Sequence, residues 1–198
     1  MKSLLRAAGT ALAVVGTLVL ASGASAQGNS QRARAGGRFR VTMPDLTARG
    51  RITAAHVYNG MGCTGQNISP VVEWTNPPAG TRSFAVTAYD PDAPTGSGWW
   101  HWVVYNIPNN VTSLQAGAGN PNGRSLPNGA AQGNTDFGSR GYGGPCPPAG
   151  APHHYHFKVF ALRVDHLDIP NNATAAFVGF NLNANKIATA EVIGLYGR

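Results

Sequence analysis

Asp90 and Asp92 stand two residues apart in Asp90-Pro91-Asp92-Ala93-Pro94, directly after an alternating apolar run. Proline cannot extend a ladder of strand hydrogen bonds, so a strand must stop here, where its last side chains meet other loops. Two carboxylates on so rigid a backbone suit the orientation of an imidazole or the capture of an ammonium; an Asx turn on a charged surface is the plainer alternative. A second group is His101 in Trp99-Trp100-His101-Trp102. Alternation puts Trp99, His101, Val103 and Tyr105 on one strand face, where a histidine is commonly just a hydrogen-bonded member of the core. The third is Pro152-His153-His154-Tyr155-His156-Phe157. Here alternation sets His153 and Tyr155 with Phe157 and Val159, and turns His154 and His156 to the other face. His153 and Tyr155 then offer two donors beside an apolar floor, the chemistry of a phosphate, sulfate or carboxylate site. His154 and His156 lack a third ligand at a recognisable metal spacing, so they read as an exposed pair and no metal is expected.

Strands must hold these groups. Period-two alternation over residues 82–89, apolar character on both faces over 99–107 and renewed alternation over 155–163 predict three long strands. Shorter strands are expected over 39–43, 71–74 and 188–196, and one helix over 174–187, entered after Pro170-Asn171-Asn172. With 26 Gly and 14 Pro in 198 residues the chain is rich in loops, and its fold class is mainly β, with one C-terminal helix before a final strand. Loops over 60–70, 116–129 and 138–152 are long enough to be functional. The last, GSRGYGGPCPPAGAP, combines glycines that let backbone N–H groups approach a ligand with prolines that fix its shape.

Residues 1–26 read as a cleavable export signal: Lys2 and Arg6, then the apolar ALAVVGTLVL, then Ala24-Ser25-Ala26. The apolar run is too short to span a bilayer comfortably and no second one follows, so no integral membrane span is expected and the product is periplasmic or secreted, starting near Gln27. Residues 27–37 form an Arg-rich arm and 38–198 a single domain. The net charge of +7 invites a nucleic-acid reading, yet beyond Arg51 there are seven cations and seven acids, so the folded part carries no basic stripe and no nucleic-acid partner is expected. In an oxidising compartment Cys63 and Cys146 are expected to pair, closing a loop worth roughly 3 to 4.5 kcal/mol on the chain-entropy view. Two free buried thiols are the alternative.

Taken together, GCTGQNISPVVEW (62–74), PAGTRSFAVTAYDPDAP (78–94), WWHWVVYNIP (99–108), DFGSRGYGGPCPPAG (136–150) and HHYHFKVFAL (153–162) resemble the phosphatidylethanolamine-binding protein family, also called Raf kinase inhibitor-like proteins. The GYGGPCPP form and the ending EVIGLYGR are similar to its bacterial branch. The resemblance implies a central antiparallel sheet with a smaller sheet packed on it. It also implies a surface cavity for a small anion or phospholipid head group, lined by Asp90, Asp92, Trp99, His101, Gly144, Pro147, Pro148, His153 and Tyr155. It implies no cofactor and a binding protein rather than an enzyme. Animal relatives carry a C-terminal helical extension that this chain lacks, and read His-Arg-Tyr where it has His153-His154-Tyr155.

The expected mechanism puts an anion between the imidazoles of His101 and His153, with N–H groups of Gly143 and Gly144 as further donors and Asp90 or Asp92 orienting an imidazole. One rival is an acid/base phosphoester hydrolase using the same Asp/His pocket. Against it, the sequence has neither a G-x-S-x-G elbow nor metal-ligand spacing. The other is a protein inhibitor or regulator working through its loops, 116–129 among them.

Overall fold

The computed structural model describes residues 37–198. The export signal and all of the Arg-rich arm but Gly37 lie outside the described residues. Within them the order is β1 (Arg40–Thr42), a 3-10 turn (Ala54–His56), β2 (Asn59–Gly60), β3 (Cys63–Thr64), β4 (Val72–Thr75), β5 (Ser83–Asp90), β6 (Trp99–Pro108), β7 (Ser113–Leu114), β8 (Ala131–Gln132), β9 (His153–Leu162), α1 (Ala175–Asn185) and β10 (Lys186–Tyr196).

Five strands form the main antiparallel sheet in the order β10-β9-β5-β6-β8, three form a smaller one in the order β1-β4-β7, and β2 and β3 make a separate hairpin. The apolar run of 83–90 becomes the middle strand because both its faces are covered. Phe84, Val86 and Ala88 turn to the smaller sheet and meet Trp74, Trp102 and Phe157; Ala85 turns to the other face, with Val103, Phe160 and Leu162. That second face is closed by α1, whose Ala175, Val178, Gly179 and Leu182 recur at helical spacing. Each large apolar side chain so buried contributes roughly 1.5–3 kcal/mol. Thr174 starts the helix, its hydroxyl accepting the N–H of Phe177 at 3.2 Å. The expected helix over 174–187 stops two residues early because Lys186 already has extended dihedrals and opens β10.

Two irregularities in β6 decide where its side chains point. Ala88 pairs with Trp102 and Tyr89 with Trp100, so His101 has no opposite number; likewise Val86 pairs with Val104 and Phe84 with Ile107. Each extra residue is a β-bulge, which interrupts alternation. Strict parity puts Trp99, His101, Val103 and Tyr105 together. Instead Trp99 and His101 face the cavity described below, while Val103 and Tyr105 pack with α1 on the opposite side. At the second bulge Asn106 takes a φ of 58°, a conformation that asparagine tolerates, and its amide holds both N and O of Leu167. No helix among the described residues is long and apolar enough to cross a membrane.

Candidate functional site

A cavity of about 140 Å3 opens where β5 ends and β6 and β9 begin. Strand ends supply Asp90, Trp99, His101, His153 and Tyr155; loops supply Pro94, Phe137, Pro147 and Pro148, and Met61 at the tip of the β2–β3 hairpin completes the rim. Its volume is below the roughly 300–1,000 Å3 of sites that enclose drug-sized ligands, so it suits a small group.

Asp90 is the buried anchor, 2% exposed. One carboxylate oxygen accepts from Nδ1 of His153 at 2.8 Å and the other from the backbone N–H of Asp92, also at 2.8 Å. The second bond is an Asx turn, so the plain and the functional reading of DPDAP both hold. With Nδ1–H given to Asp90, His153 keeps Nε2 free for a ligand in the cavity that its ring lines. Beside it lies the hydroxyl of Tyr155, buried with no hydrogen-bond partner among the described residues. Burial, then the charge of Asp90, push its phenol far above the ordinary tyrosine range, so it is a fixed O–H donor.

His101 differs. Its ring lies edge-on to Phe137 and Tyr155, with centroids 5.4 and 5.1 Å away. Burial pushes its pKa down to about 4, against the pull of the Gly143 carbonyl and Asp90. Nδ1 donates to that carbonyl at 2.6 Å, while the N–H of Gly143 donates back to the His101 carbonyl at 2.9 Å. The bulge makes this exchange available by freeing His101 from the β5 ladder. The ring is thus neutral near pH 7, with its proton on Nδ1 and Nε2 left as an acceptor. A cationic His101 in the mechanism expected from the sequence is incompatible with this burial.

The sequence matches the profile described as phosphatidylethanolamine-binding protein over residues 42–197. The chain belongs to that family. YbcL of Escherichia coli K12 is 54% identical over 159 residues, 80% of this chain and 87% of YbcL; YbhB of the same organism is 47% identical over 152 residues, 77% and 96%. The crystal structure of E. coli YbcL, described as a new member of the mammalian PEBP family, superposes with a TM-score of 0.79 at 53% identity, covering 81% of this chain and 98% of YbcL. That of CT736 from Chlamydia trachomatis gives 0.67 at 29% identity, covering 81% and 97%.

Seven of the nine residues expected to line the family's pocket meet here: Asp90, Trp99, His101, Pro147, Pro148, His153 and Tyr155. Asp92 does not. It points outward, where one oxygen accepts from both N and Nδ1 of His154 at 2.8 and 2.7 Å; the Nδ1 bond, ahead of the backbone one, holds its carboxyl below the usual range. Gly144 does not line the cavity either, and neither N–H of the glycine pair is available to a ligand. That of Gly143 is bonded to His101 and that of Gly144 to Oδ1 of Asn67 at 2.7 Å. These glycines serve packing. A Cβ on Gly143 would sit 2.3 Å from the Phe137 ring, and one on Gly144 2.1 Å from the His56 carbonyl oxygen. Phe137 and Asn67 are the residues that the sequence reading passed over. Phe137 stands openly in DFG ahead of the loop, whereas nothing periodic marks Asn67, which clips the loop by also donating to the Tyr142 carbonyl.

Cys63 and Cys146 are joined, tying the hairpin to the cavity loop. His154 pairs with Asp92 and His156 with Glu191 on the outer face. No cluster of three or more His, Cys, Asp or Glu side chains among the described residues is arranged to hold a metal.

Proposed function

We propose that the chain is an exported binding protein whose cavity holds a phosphate-like anion, free or as the head group of a phospholipid, without turning it over. The observation that carries this reading is the Tyr155 hydroxyl, buried in the cavity lining near the Asp90 carboxylate without a well-formed hydrogen bond. Leaving such a group unsatisfied costs about 1–3 kcal/mol, which an anion would recover. His153, backed by Asp90, supplies the second donor. Neutral His101 accepts, which suits a phosphate group that keeps a P–OH to donate. Holding rather than hydrolysis is supported by the cavity's sulfur and hydroxyl groups: Cys146 is in the disulfide and Thr95 donates to Gly98. Export is supported by the same disulfide, since such bonds persist in oxidising compartments.

Calorimetric titration with phosphate tests the reading. Tyr155→Phe should weaken binding about tenfold, the worth of one hydrogen bond to a charged group. His153→Gln should weaken it tenfold or more. Steady release of nitrophenolate from 4-nitrophenyl phosphate, lost in His153→Gln, would replace holding by hydrolysis.

A further inference from the structure

Pro94, Pro148 and His153 line the candidate cavity and also line a second, open groove of about 510 Å3, which continues along Ala149, Ala151 and Pro152 to Asp92 and His154. We propose that this groove takes the organic part of an esterified phosphate, so that the preferred ligand is a phosphate monoester of an uncharged, aliphatic alcohol. The proposal rests on the anion-binding reading of the cavity and adds what that reading leaves open, the substituent on the anion.

Three features carry it. The cavity has room for little beyond the anion, so a substituent must leave it, and the shared His153 ring puts the groove beside the group that would hold the anion. The shelf formed by Pro94, Pro148, Ala149, Ala151 and Pro152 carries no side-chain hydrogen-bonding group. Alanine and proline also lose almost no side-chain entropy when covered, so an aliphatic chain can displace water from the shelf without ordering it. Finally, the far end is closed by Asp92, held in place by the backbone and ring of His154. A carboxylate there repels a second acidic group on the ligand, and the apolar shelf before it favours an aliphatic one.

The test titrates wild-type protein at pH 6 with orthophosphate, butyl phosphate, glycerol 3-phosphate and 4-phosphonooxybutyrate. Butyl phosphate should bind about tenfold tighter than orthophosphate, close to the worth of two buried methylene groups, and tighter than the other two esters. Ala151→Gln, at an exposed position on the shelf, should abolish that gain and leave orthophosphate affinity unchanged. Equal affinities for butyl phosphate and orthophosphate would overturn the groove proposal while leaving the cavity reading intact. So would an equal gain from glycerol 3-phosphate, or a gain that survives Ala151→Gln. Orthophosphate failing to bind at millimolar concentration would remove both. If the gain is found, octyl phosphate separates the sources: a further rise from four to eight carbons supports a lipid, and a plateau at four supports a small soluble ester.

Discussion

Gly144→Ala should destabilise the fold by about 3 kcal/mol, at the upper end of the range for overpacking, and should disable the cavity with it. The added methyl would lie 2.1 Å from the His56 carbonyl oxygen and 2.5 Å from the Tyr58 nitrogen. Those are backbone atoms of the segment leading into the β2–β3 hairpin, so no rotamer change relieves the contact and the loop must back away. The bond from Gly144 N–H to Asn67 goes with it, and so does the exchange between Gly143 and His101. Gly143→Ala is the informative neighbour. The atoms nearest its methyl belong to the Phe137 ring, a partly exposed side chain rather than backbone, so this variant should keep more of its stability while altering the cavity wall. Urea unfolding of both variants, with phosphate titration of each, checks the contrast. Wild-type stability in Gly144→Ala would show that the loop is not held against the 56–58 segment.

The second large effect is a loss of stability in acid that originates in His101. Its folded-state pKa of about 4 lies below the ordinary value near 6.5, so between these values the unfolded chain binds a proton that the folded chain refuses. The stability carried by the neutral ring is complete above about pH 6.5 and drains away as pH falls toward 4. The difference of about 2.5 units corresponds to about 3 kcal/mol, of the order of a quarter to a half of a typical domain's stability. Urea midpoints at pH 7.5, 5.5 and 4.2 should fall steeply in the wild type. In His101→Gln the decline should be shallower, because only the remaining groups titrate; Asp92, lowered by its bonds to His154, is among them. Parallel declines in the two proteins would mean that the imidazole is protonated in the folded state.

The long strands were legible because their signals are local. Residues 82–89, 99–107 and 155–163 announce themselves by alternation or by apolar runs, and the observed strands begin or end within two residues of those bounds. The two-residue strands β2, β3, β7 and β8 have no period to detect. Facing was legible in β9, where His153 and Tyr155 share the cavity as alternation requires, and not in β6. In WWHWVVYNIP nearly every residue is apolar or aromatic, so an extra residue leaves no polar misfit to reveal itself. Glycine in GYGGPCPP was ambiguous for a different reason. A missing side chain signals that something comes close, without saying that it is an aromatic ring and a neighbouring backbone rather than a ligand.

The unmatched residue at position 101 also sets how the gene can vary in length. Removing one codon here would restore an uninterrupted ladder between β5 and β6, a gain for the sheet, with Trp100 still opposite Tyr89 and Trp99 opposite Asp90, yet it would delete the imidazole that faces the hollow and its contact with Gly143. Descendants of this sequence can therefore exchange many side chains along the strand, but insertions and deletions in it should be rare among those that still bind, since the hollow persists only while this stretch stays one residue too long for its partner.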